Sequence, residues 1–334
     1  MRLALAGFLV IAAAGTLPAQ PRAKDLSKTV KFGIQTPGVQ IPLQKLRPDA
    51  EFSATGSPES ILIDQSVWIV NRSKNALEQI DPTANKLIEP VLELNKPCGN
   101  PQSGFGSIWL LDCGAGTLAR LDAKGGKISK TMKTGASNVR AGLAVSPDSV
   151  WALTDEKTTL SRIDPAEGRI VAELRLPAGC NSMAYGETSL WITCPAENRV
   201  LRVDPNLNIV SQRIEVSPEP YSIAVGEGSV WAYCKKDGKV ERIDPKTNKV
   251  SKTIELAVPN TDADIAIGEG SVWVTMSGFP ITRIDPKADK VVQQFVGEGG
   301  GFIRASQGAV WLTNSRQGTV WRIDPRRILA TLTD

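Results

Sequence analysis

Two sets of polar side chains, spaced like copies of one another, are the residues of this chain that could do chemistry. Glu59, Asn100, Arg140, Asn181, Tyr221, Asp262 and Asp264 form one set, and Asp155, Tyr233, Lys235, Asn314 and Arg316 form the other. A ring of mixed charge with two tyrosines suits a small polar or anionic ligand, or the loop of a partner protein. Arg304 stands apart, because four repeats carry Ala144, Ala184, Ala224 and Ala266 at its place. A guanidinium held near an axis needs an anion. Either Glu59 or Asp264 bridges to it as a seal between first and last repeats, or Arg304 anchors the ligand. The chain contains no His. His acid/base catalysis, Ser-His-Asp and Cys-His nucleophiles and His-ligated metals are all excluded.

These residues recur because the chain repeats. Trp68, Trp109, Trp151, Trp191, Trp231, Trp273 and Trp311 follow one another at 38 to 42 residues. Asp81, Asp122, Asp164, Asp204, Asp244, Asp285 and Asp324 trail them by 12 or 13. A period near 40 belongs to propellers or helical arrays. Short β-branched runs between turn-formers, as in "SIAVGEGSVWAYCKKDGKVERIDPKTNKVSKTIEL", select strands. The predicted fold is all-β, a seven-bladed β-propeller of four-stranded antiparallel blades, with strands A to D in each repeat.

In that frame "GEGS" supplies positive-φ positions for the A to B turn, the Trp fills the wedge between blades, and "IDP" ends strand C. The first set of polar residues enters strand A and the second leaves strand B, on one face around the channel. Closure has two candidates, since "AEFSATG" and the final "RILATLTD" both read as strand D. One is expected to pair beside the other on the seventh blade. "GEGGG" at 297 to 301 lacks a following helix and reads as a loop. "NRS" at 71 to 73 matches a glycosylation sequon by chance.

The five Cys occupy matching places. Cys98 and Cys113, and likewise Cys180 and Cys194, flank one hairpin each, which predicts two disulfides. Cys234 matches Cys194, but Pro220 stands at its partner position, so a free thiol is predicted. Pairs at C-x₂₋₄-C spacing are absent, which argues against a four-Cys zinc site.

Residues 1–19 read as a signal peptide: Arg2, an apolar run from Leu3 to Ala14 and a small-residue exit near Ala19. Residues 20–49 read as an irregular Pro-rich arm and 50–334 as the propeller. The expected location is periplasmic or extracellular. The 39 basic and 35 acidic residues are scattered, which argues against nucleic acid. No further stretch is long and apolar enough for membrane insertion, and a monomer without a cofactor is expected.

"GEGSVWVTMSGFPITRIDPKADKVV" and "GEGSVWAYCKKDGKVERIDPKTNKVSKTI" resemble YVTN-type propeller repeats, and more closely those of the virginiamycin B lyase (streptogramin lyase) family. The resemblance implies a propeller, and an activity that depends on a catalytic His and a magnesium ion; this chain has no His to carry it. Gluconolactonase-type propellers hold a divalent ion with Glu, Asn and Asp. By that likeness Glu59, Asn100, Asn181, Asp262 and Asp264 offer an oxygen cage. Two functions follow: an exported binding or scaffold propeller with no catalytic residue and no metal, or a metal-assisted lyase or lactonase working without His.

Overall fold

The computed structural model describes residues 32–136, 142–155 and 158–332. The signal-peptide reading of 1–19 and the position of Arg140 lie outside them. Seven antiparallel sheets, each with the order A-B-C-D, stand in a ring. Strand A of each blade is Pro58–Ile63, Pro97–Gly104, Leu143–Val145, Met183–Gly186, Pro220–Gly226, Ala263–Gly268 and Ile303–Ser306, for blades one to seven. Each A strand contacts the next, and the last contacts the first, so the ring is closed around its channel.

Every repeated Trp is 2% exposed or less, so the indoles are wedges. The adjacent A to B turn shows why glycine precedes them. In blades five and six the positive-φ pair is Glu227 with Gly228 and Glu269 with Gly270, the two-residue turn that matches strand twist. The first glycine serves a different need. A Cβ on Gly226 would lie 2.8 Å from Ile267 of the next blade, and one on Gly268 would lie 1.9 Å from the backbone oxygen of Ala305. The carbonyls of these glycines also accept the Trp231 and Trp273 indole N–H at 3.2 and 2.9 Å. Gly268→Ala therefore should cost about 1–3 kcal/mol through overpacking. Gly270→Ala, with open space around it, should cost about 1 kcal/mol for its backbone conformation alone. Urea denaturation of the two variants checks the order.

The "RIDP" stretch does more than end a strand. Asp81, Asp122, Asp164, Asp204 and Asp285 each accept two backbone N–H bonds from the turn that follows. Those bonds hold the carboxyls of Asp81, Asp122, Asp164 and Asp285 below the usual carboxylate range. The Arg of the motif ties one blade to the next. Arg120, Arg162, Arg202, Arg242 and Arg322 lie 5.0–5.9 Å from the ring centre of their own blade's Trp. Each donates to a Pro carbonyl of the neighbouring blade: Pro165, Pro205, Pro245, Pro286 and Pro82. The last of these joins blade seven to blade one.

The closure favours one of the two expected strands. Ala50–Ser53 pairs antiparallel with Thr319–Ile323 and is strand D of blade seven. The C-terminal candidate is corrected: Pro325–Ala330 is an α-helix, capped by Asp324 accepting from Arg326 N. Other C to D turns reverse at a left-handed residue such as Asn85, Asn208 or Asn248, whereas Ile328 stands at the matching place here. A β-branched residue resists that conformation, and Asp-Pro without a reversal is a helix start. The arm is also more regular than expected. Gln40–Pro42 runs parallel to Lys290–Val296 as a fifth strand on blade six, and Ile41, Leu43 and Leu46 are buried there.

The sequon reading at 71 to 73 gains a physical reason. Asn71 is fully buried and its amide donates to Glu78 and Thr55. It is inaccessible to a glycosyl donor.

Candidate functional site

A cavity of about 420 Å³ opens where the A strands begin. Glu59, Asn100, Gly142, Ser182, Ser222, Asp264 and Phe302 line it, and every one lies nine residues before its blade's Trp. One position of the repeat, brought round the ring seven times, thus gives the wall a residue from every blade. The architectural residues of the repeat are spelled alike from blade to blade, while this position differs in charge, size and polarity.

Of the sequence-derived candidates, Glu59, Asn100, Asn181, Tyr221, Asp262 and Asp264 line the cavity. The charged ones are paired in place. Glu59 meets Arg72 at 3.1 Å, and Arg72 also donates to the Gly99 carbonyl. Asp262 meets Lys235 at 2.7 Å, and that ammonium lies 5.6 Å from the Tyr221 ring centre. Asp264 accepts from Arg304 at 2.5 Å and from Ile303 N at 3.0 Å. Burial nonetheless pushes the Asp264 carboxyl above its ordinary range, with Arg304 and the backbone N–H groups opposing it. Between the two partners open to Arg304, the geometry selects Asp264, and Arg304 is outside the cavity wall.

The amide-bearing residues are committed on one side only. Asn100 Oδ1 accepts from Ser60, and Asn181 Oδ1 accepts from Thr193 and from Ser182 N. The remaining candidates are placed elsewhere. Tyr233 is fully buried with its hydroxyl donating to Thr261 O at 2.7 Å, and desolvation raises its pKa. It shares a strand face with Trp231, two residues away, and so turns into the wedge. Asp155 bonds Thr159 and Asn314 caps the turn at Arg316 and Gln317, which makes both turn residues. Arg316 is exposed on that turn. Gly142, Ser182, Ser222, Phe302 and Arg72 were missed as wall residues. The fixed offset from Trp would have found four of them; Arg72 has no such signal.

Both expected disulfides are formed, Cys98–Cys113 and Cys180–Cys194. Each ties the start of strand A to the end of strand B immediately beside wall residues, Gly99 and Asn100 in one blade and Asn181 in another. Cys234 is free and buried, opposite Pro220 in the ladder. Burial first, then the charges of Glu241 and Asp237, push its thiol up, which makes it a poor nucleophile.

The oxygen cage for magnesium or calcium does not assemble. Among the described residues no group of three His, Cys, Asp or Glu is placed to hold a metal ion. Glu59, Asp262 and Asp264 each face a different cation, so the donor set does not fit a divalent ion.

No family profile matches the chain, and no curated protein sequence does. Solved structures do. The selenomethionine-substituted virginiamycin B lyase from Staphylococcus aureus superposes with a TM-score of 0.71 at 18% identity, over 81% of this chain and 97% of that one. A streptogramin B lyase gives 0.70 at 20%, over 81% and 95%. A catalytically inactive histidine-to-alanine variant of the Staphylococcus aureus lyase with Quinupristin gives 0.70 at 19%, over 81% and 97%. At such identities the likeness speaks for architecture. This chain has the seven-bladed propeller fold of the virginiamycin B lyases.

Proposed function

We propose that this chain is an exported binding propeller that takes a small polar ligand in the cavity at the start of its A strands. One observation carries the reading: the position nine residues before each Trp faces the cavity in all seven blades and differs among them in charge, size and polarity. A concave wall whose residues differ from blade to blade on a repeated scaffold suits the recognition of one molecule. The N-terminal apolar run and two disulfides support export, since such bonds persist in oxidising compartments. Among the described residues no helix is long and apolar enough to cross a membrane.

The lyase reading rests on fold likeness alone. The similar Staphylococcus aureus enzyme is catalytically inactive when one histidine becomes alanine, and this chain has none. Its cavity carboxylates are already neutralised by cations, and its free thiol is buried.

The test is a thermal-shift screen of polar small molecules, lactones among them, against wild type and Ser182→Trp, which fills the cavity. Ligands at about a hundredfold over Kd should stabilise wild type by about 2.7 kcal/mol and leave the variant unmoved. Equal shifts in both proteins would place binding elsewhere. Turnover of a lactone by wild type, lost in Ser182→Trp, would replace the binding reading with an enzymatic one.

A further inference from the structure

We infer that the ligand is a neutral, hydroxyl-rich molecule of the saccharide class, an inference that rests on the cavity being the binding site. Among the described residues, the charged groups that line it are paired. Glu59 with Arg72, Asp262 with Lys235 and Asp264 with Arg304 make three carboxylates and three cations that neutralise one another in place. An ionic ligand meets no net charge in these pairs and competes with the partner already in place.

Three neutral side chains of the wall, Ser222, Asn100 and Asn181, have polar atoms to offer. Ser222 Oγ is buried with no hydrogen-bond partner, in a residue 7% exposed that lines the cavity. A hydroxyl buried without a partner is unfavourable, and a Ser side chain has three staggered positions about χ1 to choose from. Turned to the cavity, it donates to or accepts from a ligand hydroxyl. Asn100 and Asn181 spend their Oδ1 within the protein, which leaves their amide N–H groups as the donors for ligand oxygen. The Tyr221 ring and the side chains of Met183, Met276 and Phe302 supply apolar wall of the kind that packs against C–H faces. Neutral donors, a spare hydroxyl and an aromatic ring together match a saccharide. The cavity volume of about 420 Å³ lies within the range that encloses small molecules.

Calorimetric titration of the signal-free protein with cellobiose and N,N′-diacetylchitobiose, beside their charged counterparts cellobionic acid and the glucosamine disaccharide, tests the inference. A neutral disaccharide is expected to bind, with affinity changing less than about twofold between low and high salt, because no net charge is exchanged. Ser222→Ala should weaken it about tenfold. The same variant should keep or slightly raise the melting temperature, since it removes a group that has no partner to lose. Tighter binding of a charged analogue, a steep fall with salt, or unchanged affinity in Ser222→Ala would overturn the inference. If neither neutral disaccharide binds while other ligands in the Ser182→Trp screen do, the saccharide class is wrong and the cavity stands. If nothing distinguishes wild type from Ser182→Trp, the cavity reading itself fails.

Discussion

Arg304→Ala should lower stability at neutral pH by about 3 kcal/mol, the lower end for breaking a buried pair because the Arg304 side chain keeps 23% of its surface exposed. The loss comes from the partner left behind. Asp264 is held by Arg304 and the Ile303 N–H in a place where burial already raises its pKa above the ordinary 3.8. Removing the guanidinium raises it further.

The sign of the pH dependence follows. A carboxyl whose native pKa is raised binds its proton more readily folded than unfolded, so stability is greatest below the unfolded pKa and falls as pH rises through the native one. Arg304→Ala should therefore cost little near pH 4 and most above the raised native pKa. Adding Asp264→Asn should recover part of the neutral-pH loss, because no charge is then buried alone. Denaturant titrations of the three proteins across this range check it. A loss equal at all pH values would show that Asp264 is not the group responsible.

Trp231→Ala should cost about 3–5 kcal/mol, the range for deleting a buried aromatic wedge. Trp231 is fully buried, donates to Gly226 O at 3.2 Å and lies 5.0 Å under the Arg242 guanidinium. Phenylalanine keeps most of the volume and loses the polar contacts, so Trp231→Phe should cost about 1–2 kcal/mol. Trp68→Phe should cost less than Trp231→Phe. Its indole N–H is buried without a partner, and Gln79, which bonds Ser66, stands where other blades carry the stapling Arg. Equal losses at Trp68 and Trp231 would mean that the indole N–H and the arginine add nothing to the wedge.

The parts of the fold that were legible in the sequence are those that one repeat can specify alone. The Trp spacing, the Asp-capped turn and the Cys positions relative to Trp needed only local geometry and a count. The roles that stayed hidden need two blades at once. Nothing in "RIDP" says that its Arg donates to a Pro about 43 residues ahead, as Arg162 does to Pro205, until neighbouring blades are set side by side. The first Gly of "GEGS" read as a turn residue for the same reason. Its constraint is the next blade's backbone at Gly268, across the wedge. Among candidate site residues, Tyr233 misled because strand alternation, which sends it inward with Trp231, is fixed by which face packs.

By itself the sequence determined the number of blades, the strands in each and the two disulfides, because periodicity and turn chemistry are local and repeat seven times. Only the tertiary structure decided which segment closes the ring, which charges pair and which residues face the cavity. Glu59 could have met Arg304 or Arg72, and Asp264 could have joined a metal cage. Those outcomes depend on distances across the channel between residues far apart in the chain, and the closed ring sets such distances.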